Sequence, residues 1–290
     1  MKKTKIKKER LTSVLFYLLV ICLITFAIEF ILFSFYYNNE SFDRNSFFCG
    51  LLIGAVAQCV DGALGMAYGV TATTLLLSNG VSPALATASV HISEIFTTGA
   101  SGLSHWKMGN VNSKLFRSLV IPGVTGGVLG VFVITSVDAN VIRPIIASYL
   151  LMMGFYIFVK AFKKITFNNI VKRKKVMPLA LVGGFVDSVG GGGWGPVVTT
   201  TLLGSGHEPR RTIGTVNASE FFITVATGFS FILLIGINHW EIVAGLIISG
   251  MIVAPFAAKI LSKIPVRPLM AFVGCLIIFL SANSIYKSLF

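Results

Sequence analysis

Charge is scarce in this chain. Of its 290 residues only 12% are Asp, Glu, Lys or Arg, and just 11 are acidic. A water-soluble domain carries about 25% charged residues, so a domain facing water on all sides is excluded. Cysteine is scarce as well. Cys22, Cys49, Cys59 and Cys275 show no metal-type spacing and fall mostly in apolar runs, so they read as small hydrophobes. No metal and no cofactor are expected. What the chain has in abundance is hydrophobic surface, 54% of its residues with a mean hydropathy of +0.83. The runs 13–37, 118–137, 145–159, 221–237 and 242–258 approach or exceed the roughly 20 residues needed to cross a bilayer. The composition is that of an all-α polytopic membrane protein with the lipid bilayer as its solvent.

The N-terminus begins with a basic tail, but the apolar run behind it is too long for a signal peptide and no small-x-small site follows. A retained anchor helix over about 12–37 is expected. The formal charge of +13 is distributed in clusters: the tail, 107–117, 160–175, Arg210–Arg211 and 259–267. Placing every cluster on the cytoplasmic side, as the positive-inside rule asks, leaves only Arg44, Arg143 and Lys287 outside. That distribution accounts for the charge without a nucleic-acid partner. It predicts a multi-pass protein of the cell membrane with its N-terminus cytoplasmic and its C-terminus outside.

Sliding the chain by 126 residues lays 61–104 over 187–230, and 17 of 44 positions are identical without a gap. The matches include Asp61/Asp187, Gly65/Gly191, Gly69/Gly195, Thr73/Thr199, Thr74/Thr200 and Glu94/Glu220. Two copies of one unit are present. Combined with the charges, the copies are expected to be inverted-topology repeats, each a broken-helix or re-entrant hairpin followed by three transmembrane helices. The spans are placed at about 84–105, 116–136 and 141–161, then 212–237, 240–262 and 268–288. The segments flanking each Asp-led break are expected to be only 13–15 residues long. The organisation is then a tail and anchor over 1–45, repeat 1 over 46–164, a basic linker over 165–176 and repeat 2 over 177–290.

The breaks, "DGALGMAYG" and "DSVGGGGWGP", place glycines, and in the second a proline, where a membrane helix should continue. Inverted repeats with discontinuous helices are a transporter architecture, with the site at the midplane. A half-helix is expected to restart near 66–70 and 192–197, its N-terminus attracting an anion. Gly65, Gly69, Gly191, Gly192, Gly193 and Gly195 would let a ligand approach the backbone, or let helices pack closely. Tyr68 and Trp194 are candidate walls. Thr73, Thr74, Thr199 and Thr200 are candidate hydroxyl donors, with bonding to their own helix backbone as the competing role.

Asp61, Asp187, Glu94 and Glu220 are the acids deep in the repeated segments, where ionisable groups are costly. Glu94 and Glu220 are the candidate proton carriers, and Asp61 and Asp187 the candidate caps of the half-helices. His91 matches Asn217 and is a candidate titrating group or a structural hydrogen-bonding one.

The stretches "VDGALGMAYGVTATTLLLSNGVSPALATASVHISEIFTTGASGLSHWKMGNV" and "GGFVDSVGGGGWGPVVTTTLL" resemble the two signature regions of the TauE/SafE sulfite-exporter family of permeases. The resemblance covers about 46–290. It implies secondary transport of a small anionic substrate, an oxyanion or organosulfur anion such as sulfite or a sulfonate. A cation transporter or channel lined by Asp61, Asp187, Glu94 and Glu220 is the alternative from the acids. An intramembrane lipid-phosphate phosphatase is the alternative from enzymes, but no Lys or Arg falls in the expected membrane centre to meet a phosphate. The chain is therefore not expected to be an enzyme.

Overall fold

The computed structural model describes residues 42–162, 173–205, 207–236, 239–261 and 266–289. The expected anchor helix and most of the basic linker lie outside these residues.

The described chain is helical throughout. Repeat 1 forms α1 (Arg44–Leu64), α2 (Tyr68–Ser78), α3 (Pro83–Lys107), α4 (Ser113–Ser136) and α5 (Ala139–Phe162). Repeat 2 forms α6 (Arg173–Gly190), a π-helical turn (Trp194–Thr199) running into α7 (Thr200–Gly204), then α8 (Pro209–Ile235), α9 (Trp240–Leu261) and α10 (Val266–Leu289). Local chemistry sets the starts. The side chains of Asp43, Asn112 and Glu208 accept from the first backbone N–H groups of α1, α4 and α8, and prolines open α3 and α8.

The helices ahead of the breaks are longer than the 13–15 residues expected, at 21 in α1 and 18 in α6. The reason is where the helix stops. Asp61 and Asp187 lie inside the last turns of α1 and α6, and the ladder ends only at the glycines that follow. Gly65 and Gly191 occupy equivalent positions and share a left-handed backbone, φ 66° and 65°. Behind each break the half-helix is short. Its 11 residues rise about 16 Å, roughly half of the 30 Å hydrocarbon core.

Five of the described helical segments are long and apolar enough to cross a membrane: Arg44–Gly62, Ser113–Ser136, Ala139–Phe162, Pro209–Ile235 and Arg267–Ser288. At 25 residues α3 is as long, yet it buries Thr87, Ser89, His91, Ser93 and Glu94. Neighbouring helices enclose it, so it can carry polar groups that lipid would not tolerate. On the outside of the bundle α5 and α10 expose Met152, Phe155, Phe272 and Phe279. Large apolar side chains in this position suit lipid, not water.

The packing respects the repeat. α1 packs on α9, and its counterpart α6 packs on α4, the counterpart of α9. The helices equivalent to each other, α3 with α8 and α5 with α10, pack directly together. In both of these pairs the contacts run in opposite directions. Gly228 faces Ile92 and Ile95, while Gly102 faces Ala218; Gly154 faces Ile277 and Ile278, while Gly274 faces Phe158. Small residues carry the closest approaches, as is usual between membrane helices.

Candidate functional site

The site is built where the two breaks meet. Asp187, at the end of α6, points its Oδ1 at the start of the following half-helix and accepts from Gly193 N at 2.6 Å and Trp194 N at 2.9 Å. Asp61 occupies the equivalent position in repeat 1, with its carboxylate near the backbone N–H of Tyr68, the residue equivalent to Trp194. Asp187 thus bridges its own break and satisfies donors that a helix start leaves open, and Asp61 is placed to do so at the other break.

The breaks then cross. A Cβ on Gly69 would lie 2.8 Å from Gly192 Cα and 2.9 Å from Gly191 O. At the equivalent contact a Cβ on Gly195 would lie 3.0 Å from Met66 Cβ. One on Gly192 would run into Val70 N and Gly69 C, and its φ of 149° already disfavours a side chain. Thr73 Oγ1 donates to Gly191 O at 2.5 Å and Tyr149 Oη to Gly192 O at 2.9 Å, holding carbonyls that the break frees.

Beside this crossing lies a cavity of about 440 Å³, lined from both repeats. Asp61, Glu94, Asp187 and Glu220 all line it, and no Lys or Arg does so among the described residues. Three acceptors in its wall, Gln58 Oε1, Glu94 Oε2 and Asp187 Oδ2, are buried without a hydrogen-bond partner. Buried acceptors left this way cost about 1–3 kcal/mol each, so the wall wants donors: protons on the acids, water or a ligand. The cavity extends to Ser104 and His105 at the end of α3 and to Ile213 near the start of α8.

Of the residues singled out in the sequence, Gly65, Tyr68, Gly69, Gly192, Gly193 and Gly195 line the cavity with the four acids. Trp194 does not line it. Its indole is fully buried against Gly123, with Nε1 donating to Val216 O at 3.3 Å. Gly191, Thr73, Thr74, Thr199 and Thr200 also lie behind the wall. Thr74 bonds its own helix at Val70 O, 2.7 Å, and Thr200 bonds Pro196 O and the Tyr156 hydroxyl, whereas Thr199 Oγ1 has no partner. His91 is fully buried, and its Nε2 lies 3.3 Å from Asp187 Oδ2.

Three contributors were not singled out. Gln58 sits one turn ahead of Asp61, and its signal is an amide within an apolar run. Asn217, whose Nδ2 donates to Ser101 Oγ at 2.9 Å, was visible only as the partner of His91 in the repeat. Tyr149 lies outside the matched segments, and the sequence carries no signal for it.

The family model described as "Sulfite exporter TauE/SafE" matches residues 50–284. The chain is 41% identical over 245 residues to the "Probable membrane transporter protein YtnM" of Bacillus subtilis (strain 168), covering 80% of each chain. No solved structure matches it. With most of its length matched and its apolar helices gathered around a two-repeat crossing, this chain is a multi-pass membrane protein belonging to the TauE/SafE sulfite exporter family.

Proposed function

We propose that the protein is a non-enzymatic permease that moves a small oxyanion or organosulfur anion, such as sulfite or a sulfonate, through the cavity at the crossed breaks, together with protons. The observation that carries this reading is the convergence of four carboxylates from both repeats on one cavity between two half-helices. Two like charges 4 Å apart repel by about 4 kcal/mol at an effective dielectric constant of 20. An anion therefore enters this cavity with Glu94 and Glu220 protonated, when their carboxyl groups become donors to its oxygens. Family membership supports the substrate class.

The repeats are inverted in this reading, supported by the opposed directions of α3 and α8 and of α5 and α10. Lys107, Lys114, Arg117, Arg210 and Arg211 flank the end to which the cavity extends. With that end cytoplasmic in the cell membrane, and the C-terminus outside, the structure faces inward. Gly65, Gly69, Gly192, Gly193, Gly195 and Tyr68 bring backbone and a phenol to the substrate. Asp61 and Asp187 hold the half-helix starts.

The same acids favour a second reading, a path for a cation attracted by ionised carboxylates. Flux into liposomes separates the two. Labelled sulfite, sulfate and a sulfonate should enter and compete with one another, while Na⁺ and K⁺ should not. Selective cation flux with no anion uptake would establish the second reading.

A further inference from the structure

Asp61 and Asp187 stand at equivalent breaks, yet among the described residues only Asp187 lies against an imidazole. His91 on α3 of repeat 1 reaches across to Asp187 on α6 of repeat 2, Nε2 to Oδ2 at 3.3 Å, with both side chains at least 98% buried. The counterpart of His91 is Asn217, which bonds Ser101 instead. His91 also packs on the Phe231 ring at 5.7 Å, away from water.

Hydrogen bonding at Nδ1 and electrostatics at Nε2 together bear on how many protons this pair carries. His91 Nδ1 lies 3.0 Å from Thr87 O, and a carbonyl oxygen only accepts, so Nδ1 bears a proton. Nε2 then faces Oδ2 either as a lone pair or as a second N–H. The two atoms are close enough for an ion pair, and neither has a hydrogen-bond partner. A neutral imidazole opposite an ionised carboxylate would set lone pair against lone pair inside the protein. Burial at 3.3 Å therefore favours one proton on the pair, carried as imidazolium with carboxylate or as imidazole with carboxylic acid. Asp187 Oδ1 meanwhile holds Gly193 N and Trp194 N, so the proton sits on the residue that anchors the second half-helix.

We propose that His91 and Asp187 form a one-proton latch joining repeat 1 to the half-helix of repeat 2, which makes one of the two half-helices responsive to pH. Proton loss leaves opposed lone pairs and pushes Asp187, with the Gly193–Trp194 turn, away from α3. Asp187 lines the cavity, so the released proton has a route out. The latch rests on the reading of this cavity as the transport site. The other titratable groups around it are Asp61 from α1, Tyr68 from α2, Glu94 and, farther along the cavity, His105 from α3, Tyr149 from α5 and Glu220 from α8. From α4, packed along α6, the neighbours at this level are Gly127 and Gly130 against Ser188.

The test is ¹⁵N-histidine NMR on the full chain in lipid nanodiscs across a pH series, with the His91 signals identified by their loss in His91→Asn. The expected result is a protonated Nδ1 at every pH and an Nε2 proton lost in one step. Trp194 fluorescence should change in the same step in a Trp106→Phe, Trp240→Phe background. Asp187→Asn keeps Oδ1 as a cap and offers a permanent N–H to Nε2, so it should show neither step. A His91 with unprotonated Nδ1, or one titrating in Asp187→Asn as in the parent, overturns the latch. Anion uptake measured on the same samples keeps the two readings apart. Uptake without a coupled His91 step removes the latch alone, and a coupled step without any anion uptake removes the transport reading.

Discussion

Gly69 and Gly192 meet backbone to backbone, each the wall against which the other repeat's break is seated. This contact joins the two breaks. Replacing Gly69 with Ala should cost about 1–3 kcal/mol through overpacking. Gly192→Ala should cost more, since it clashes with Val70 N and strains a positive φ. Gly204 has open space around its would-be Cβ, so Gly204→Ala should be neutral or mildly stabilising. Thermal unfolding in detergent checks the order; equal losses at all three positions would contradict it.

The cap on the second half-helix predicts a split between two substitutions. Asp187→Ala removes the acceptor for Gly193 N and Trp194 N and should lower stability by about 0.5–2 kcal/mol. Asp187→Asn retains the acceptor and should fall well short of that loss. Equal destabilisation by both, in the same unfolding assay, would show that the charge and not the cap matters.

Tyr149→Phe should cost about 1 kcal/mol by leaving Gly192 O without its donor. The far-ultraviolet helical signal should be unchanged, since Tyr149 acts across helices and not within one. A stability equal to the parent's would remove this residue from the account of the break.

Gln58 offers a contrast between stability and function. Its Oε1 is buried on the cavity wall without a partner. Gln58→Leu should therefore leave stability unchanged or raise it, while anion uptake falls. Loss of both together would point to a hydrogen bond within the fold.

Much of this arrangement is legible in the sequence because the repeat is. Aspartate, glycine, threonine and glutamate at a constant offset mark two equivalent breaks before any coordinate is known, and the span limits fall within a few residues of the helices found. The lengths of α1 and α6 were misread, because an aspartate followed by small residues looks like the stop itself. In the structure it belongs to the last turn and reaches forward over the stop. Trp194 shows a different limit: equivalence with Tyr68 fixes its place in the chain, while the small surface of Gly123 decides which way a large ring turns. The pairing of His91 with Asp187 joins distant segments through the crossing of the repeats. No local pattern encodes it.

In the proposed function an anion crosses with protons carried on the cavity acids. Uptake of labelled sulfite into liposomes under an imposed pH gradient tests it most directly, comparing the parent protein with a variant carrying Glu94→Gln and Glu220→Gln. The gradient should accelerate uptake by the parent and have no effect on the variant, which should still exchange the anion across the membrane. Full gradient acceleration in the variant would contradict it.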